Sequence, residues 1–164
     1  MSPKDVARLV QIRRDRADAA RDALARVRKA REKAQAAMVA ARRALAAHEQ
    51  RKPQILNALY TAMVGRPVTP GDWTAIEVKS AALEAEGTRL AGMIKRHEEE
   101  VHRLMREEQE AKTAYATAQK ACGAVEEVAA KVRGDHARAA LQREEQEIEE
   151  IAQDRFAMAR ISQP

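Results

Sequence analysis

The chain has 164 residues, of which 34% are charged, 45% hydrophobic and only 2% aromatic, with Ala at 36 positions and a net charge of +5. Sheets draw on β-branched and aromatic side chains and globular cores on large ones, so an all-β domain and a compact α/β enzyme are both disfavoured. A composition led by Ala, Arg, Glu, Lys and Leu points to long helices; disorder is the rival reading of so much charge, and periodicity has to decide.

Cys122 is the single cysteine, which leaves no disulfide framework or Cys-based zinc module and suits a reducing compartment. The opening MSPKDVARLV lacks the apolar stretch of a secretory signal. The Arg-rich start has some likeness to a mitochondrial presequence, but Asp5, Asp15, Asp18 and Asp22 argue against one. With no apolar run of spanning length, a cytoplasmic protein is expected.

Along the chain, Ser2-Pro3 can start a first helix, and residues 4–52 contain no Gly or Pro. Residues 53–72 gather Pro53, Gly65, Pro67, Pro70 and Gly71, which reads as a tip with a short helix of its own. Asp72 can cap a second helix over 73–160, where Gly87, Gly92, Gly123 and Gly134 are the sole punctuation. In the first segment a 3/4-spaced series runs Val10, Arg13, Ala17, Ala20, Leu24, Val27, Arg31, Ala34, Met38, Ala41, Leu45, His48, Lys52, Ile55, and ten of these 14 are apolar. In the second it runs from Leu83 through Gly87, Leu90, Ile94, His97, Val101, Leu104, Glu108, Ala111, Tyr115, Ala118, Cys122, Val125, Ala129, Val132 and His136 to Ala139, with 13 of 17 apolar. Seams this long predict a coiled coil. Beyond Ala139 the stripe changes phase to Leu141, Ile148, Ile151 and Met158, so a stutter or break is expected near Gly134.

The fold expected is all-α, a long antiparallel two-helix coiled-coil hairpin forming one domain. Charge supports it: residues 1–52 carry 15 Lys/Arg against 6 Asp/Glu, and residues 74–164 carry 14 against 18. Two copies of the first helix would repel, whereas folding it on the second brings opposite fields together. A seam so rich in Ala buries little area per residue at roughly 25 cal/mol per Å2, so the rod should be thin and marginally stable. At 1.5 Å per residue the first helix is about 70 Å long and the second about 130 Å. Residue 10 then lies opposite about residue 126, and the last 25 to 30 residues, about eight turns of acidic helix, project past the N-terminus.

Chemistry-bearing motifs are scarce. His97 and His102 in HEEEVH are five residues apart, whereas metalloprotease histidines sit at i and i+4 to face one metal; a solvated face plus a seam histidine explains them. No phosphate-binding loop, nucleophile elbow or Cys/His cluster occurs, so no catalytic residue, metal site or cofactor is expected, and no small-molecule substrate. The pI of about 9.6 fits nucleic-acid binding, but no aromatic is interleaved with the basic residues for base stacking. The tip is more informative. Leu56, Leu59, Tyr60, Met63, Val64, Trp73 and Ile76 gather the one Trp and a Tyr there. They can close the hairpin on each other, and a two-helix tip with too little volume to bury them all leaves an apolar patch of the kind that marks a partner site.

Arg8, Ile12, Arg13, Arg16 and Ala17 form an R-x-x-x-I-R-x-x-R-A pattern, and LQREEQEIEEIAQDRF closes the chain with acidic and Gln residues. With a hairpin between them and a Trp after its turn, the sequence resembles the type III secretion central stalk family (YscO-like) and is similar to the flagellar export protein FliJ. The resemblance implies a bacterial type III protein export component shaped like a rotary-ATPase γ subunit, peripheral to the inner-membrane export apparatus. It implies that the end with both termini enters a hexameric export ATPase through Arg8, Arg13 and Arg16. The tip, through Leu59, Tyr60, Met63 and Trp73, would touch the export gate or secretion chaperones. A monomer that is not itself an enzyme is expected. The alternative from another class is a basic coiled-coil binder of nucleic acid or an anionic membrane surface; a homo-oligomeric coiled coil is disfavoured by the charge split.

Overall fold

The structure, a computed structural model, describes the backbone of residues 2–161 and the side chains of residues 2–155. It is a helical hairpin of two α-helices, α1 (Pro3–Thr61) and α2 (Pro70–Ile161). Strands are absent among the described residues.

Both helices begin with the same device. Ser2 precedes Pro3 and Asp5; Thr69 precedes Pro70 and Asp72. The Ser2 hydroxyl accepts from the Asp5 amide at 3.2 Å, while Asp5 Oδ2 accepts from the Ser2 amide at 3.3 Å. Thr69 repeats this, its Oγ1 accepting from the Asp72 amide at 3.3 Å and its amide donating to Asp72 Oδ2 at 2.8 Å. Each is a capping box with Pro at the first helical position, where its missing N–H costs nothing. Asp72 is therefore the third residue of α2 and not its cap; Thr69 is the cap.

The helix ends also move. Pro53 lies inside α1, so what the sequence suggested as a separate short tip helix is the last two turns of α1. Proline removes one amide donor, whose partner would be the Glu49 carbonyl. Both residues are exposed, so water can serve that carbonyl. The chain leaves α1 through Met63 N–H to Tyr60 O and Val64 N–H to Thr61 O, both 3.1 Å, the three-residue step that tightens a last turn. Gly65 follows with φ +82°, the left-handed conformation that glycine adopts without steric cost. The break expected near Gly134 does not occur; α2 is helical through that position.

The chain divides into two compact units, Ala23–Lys112 and Met1–Asp22 with Thr113–Pro164. In the first, the turn-bearing unit, ion pairs Arg28–Glu108, Arg42–Glu98 and Lys52–Glu84 show the helices running antiparallel. Its buried apolar residues are Leu24, Ala41, Ile76, Leu83, Leu90, Val101 and Leu104. In the second, the terminal unit, Val6, Cys122 and Ala129 are buried and Arg14 pairs with Glu126 at 2.7 Å. The predicted seam holds in both. All 14 of its α1 positions are buried or half-buried, and so are its α2 positions except His136. Cross-helix pairs put an α1 cation on an α2 carboxylate, the direction the charge split requires.

Candidate functional site

The tip belongs to the turn-bearing unit. Arg66 closes it: its Nε donates to the Ala62 carbonyl at 3.2 Å, and its two Nη groups donate to the two Asp72 oxygens at 3.2 and 2.8 Å. A bidentate guanidinium fork on a carboxylate fixes orientation as well as charge. The Arg66 fork, then the Thr69 amide and hydroxyl, hold the Asp72 carboxyl well below the usual carboxylate range.

On this braced turn the apolar side chains divide. Ile76 is buried, and Leu56, Leu59 and Met63 are half-buried. Tyr60 is 46% exposed, Trp73 52% and Val64 81%. Val68 and Val78, which lie outside the predicted tip cluster, are exposed as well. Val68 stands between Pro67 and Pro70 in a non-helical stretch where heptad counting has no reach. The tip thus uses Ile76 to close the hairpin and leaves both aromatics facing outward, which is the composition of an interface anchor. Arg66 is the one cation between Lys52 and Lys79 and is committed to Asp72, so the tip is apolar without being basic.

Two polar layers interrupt the seam of the turn-bearing unit. Glu108 is buried and sits among Arg28 (3.3 Å), Arg31 (3.1 Å) and Lys112 (3.0 Å). The Lys112 hydrogen bond first, with the charge of Arg31 behind it, holds its carboxyl below the ordinary value against the opposing effect of burial. The other layer is His48, also buried, whose Nε2–H donates to the Leu83 carbonyl at 2.9 Å with Nδ1 3.8 Å from Glu86. Its ring lies against Gly87, where a Cβ would come 3.4 Å from Nε2. A Cβ at Gly87 would therefore just touch the imidazole, and a larger side chain there would meet it. The Lys52–Glu84 pair beside it holds the Glu84 carboxyl below its ordinary value.

The three arginines singled out near the start of α1 do not act alike. Arg8 and Arg16 are exposed, but Arg13 is half-buried in the seam of the terminal unit, its Nε buried without a hydrogen bond. Arg8 and Arg16 are thus available to a partner, and Arg13 faces α2. In the same unit α2 residues 140–155 are exposed at every position, including Leu141, Ile148 and Ile151 at 59, 67 and 56%. Phe156 and Met158 lie outside the side chains described.

Among the described residues no group of three or more His, Cys, Asp or Glu could hold a metal, and no helix is long and apolar enough to cross a membrane. No curated protein and no solved structure matches the chain. The family model described as type III secretion protein YscO matches residues 6–154. That span takes in the paired seams, the aromatic tip and nearly all of the exposed α2 segment, and the chain belongs to the YscO family of type III secretion proteins.

Proposed function

We propose that the chain is a stalk or adaptor of a bacterial type III export apparatus, linking a hexameric export ATPase to the export gate or to secretion chaperones. The observation that carries this reading is the tip, where a capped, ion-paired turn holds Tyr60 and the one Trp, Trp73, half exposed. A side chain that a protein leaves exposed on a braced support contributes most when a partner covers it. Leu59 and Met63, half-buried beneath them, would shape the base of that contact. The exposed Arg8 and Arg16 would serve the ATPase end, with Arg13 positioning α1 on α2. On this reading the chain acts without chemistry of its own, as a monomer beside the inner membrane.

The test has two arms. Added to the hexameric export ATPase of the same organism, the chain is expected to raise ATP hydrolysis; an unchanged rate at stoichiometric excess overturns the ATPase link. Trp73→Ala with Tyr60→Ala should leave helicity by circular dichroism nearly intact and abolish binding of the gate or chaperone. A large loss of helicity would instead make these residues hairpin closures. A binder of nucleic acid or anionic membrane is less well supported, because Arg14, Arg28, Arg31, Arg42 and Lys52 all face carboxylates of α2.

A further inference from the structure

The far part of α2 has no counterpart in the hairpin. Arg14 of α1 pairs with Glu126, and α1 starts at Pro3, eleven residues before Arg14. Antiparallel pairing therefore uses up α1 about eleven residues beyond Glu126, and every position from 140 to 155 is exposed. Helices of this length are marginal in water unless an apolar face is covered. Leu141, Ile148 and Ile151 share one side on the 3/4 spacing, with Glu144 between them. Glu145, Glu147 and Asp154 flank that side and Glu149 and Glu150 lie farther round the helix, against Arg143 and Arg155 as the only cations of the segment. None of these acids forms an ion pair among the described residues.

We infer that residues 141–151 of α2 are a docking helix for a protein groove with an apolar floor and a basic rim. The occupant follows from charge. Six unpaired carboxylates on 140–155 repel nucleic acid and anionic lipid, and equally repel the same segment of a second copy. They steer toward Lys and Arg, while Leu141, Ile148 and Ile151 supply the area that water must vacate. This places the main contact of the terminal unit on α2, whereas the resemblance pointed to the arginines of α1. It goes beyond the proposed function and does not depend on the ATPase, because the probe below is neither the ATPase nor the gate.

The probe is a synthetic peptide of about three heptads with Leu at a and d and Lys or Arg at e and g. It is titrated against the full chain at low salt by fluorescence anisotropy, with hydrogen exchange on the complex. Expected are saturable binding, new protection confined to about residues 140–155, and at least a tenfold weaker Kd for Ile148→Asp with Ile151→Asp. The double variant should melt like the parent, since neither side chain packs within the hairpin, and Trp73→Ala should bind the peptide normally. Absence of binding overturns the inference. So does protection spread over the acidic run Glu98–Glu100 instead. Binding that Glu147→Lys with Glu150→Lys removes but the isoleucine variant leaves unchanged also overturns it, for that is charge attraction without a docked face.

Discussion

The turn-bearing unit and the terminal unit are built on one seam pattern with different side chains. The first buries Leu24, Leu83, Leu90, Leu104 and Ile76 and adds the buried Glu108 and His48; the second buries Val6, Cys122 and Ala129. Area buried, not periodicity, sets how much each layer stabilises, and a leucine layer removes far more apolar surface from water than an alanine layer. A single heptad rule can therefore produce one region that is hard to open and another that opens readily.

The largest effect should come from Leu104→Ala, which is expected to cost about 2–5 kcal/mol in denaturant unfolding. Ala129→Gly, in the terminal unit, should cost about 1–2 kcal/mol, mostly from helix propensity. Equal losses would break the contrast between the two units. Acid sharpens it further. Asp72, Glu84, Glu100 and Glu108 are all held below their ordinary values, and all lie in the turn-bearing unit. A carboxylate whose folded value is depressed contributes stability above its unfolded value and loses it as pH falls through the folded one. Thermal stability should thus hold down to the ordinary carboxylate range near 4.5 and decline below it. Glu108→Gln should lower stability at neutral pH and flatten that decline; a parallel curve would mean that Glu108 is not one of the responsible groups.

A smaller effect concerns Gly87. In a His48→Ala background, Gly87→Ala should stabilise α2 by about 1 kcal/mol. With His48 present the gain should shrink, because the added Cβ comes to the tight edge of contact with the ring, 3.4 Å away. A double-mutant cycle reads the difference, and zero coupling would separate the two residues. The smallest expected effect is that of Ile148→Asp on unfolding, within about 0.5 kcal/mol, as for a surface site without native partners.

The sequence made the helix faces legible and the helix ends much less so. Spacing at 3/4 identifies the buried face because it is a geometric property of every turn, and His136 departs from it only where α1 is close to running out. Pro53 suggested an end because proline lacks a donor, yet an exposed site tolerates that lack. Thr69 and Asp72 are both capping types, and only the backbone geometry separates the cap from its third-residue partner. Gly134 suggested a break that its neighbours' helix propensity overrides. Arg13 shows a different difficulty: a motif grouped it with Arg8 and Arg16, while its seam position already directed it toward α2. The exposed aromatics of the tip were legible from too little volume to bury them. Val68 was not, since outside a helix no period points to its side.

The ring of His48 against Gly87 has a consequence for how the hairpin finds its alignment. In a seam with many alanines, sliding one helix by seven residues exchanges like for like and leaves a near-equal competitor. His48 would then meet Ser80 or Ile94 in place of Gly87, either losing its fitted space or driving an imidazole into a β-branched side chain. Glu108 in the same way would leave Arg28 and Arg31. Two irregular teeth penalise a seven-residue slip and so favour one alignment as the helices zip from the turn.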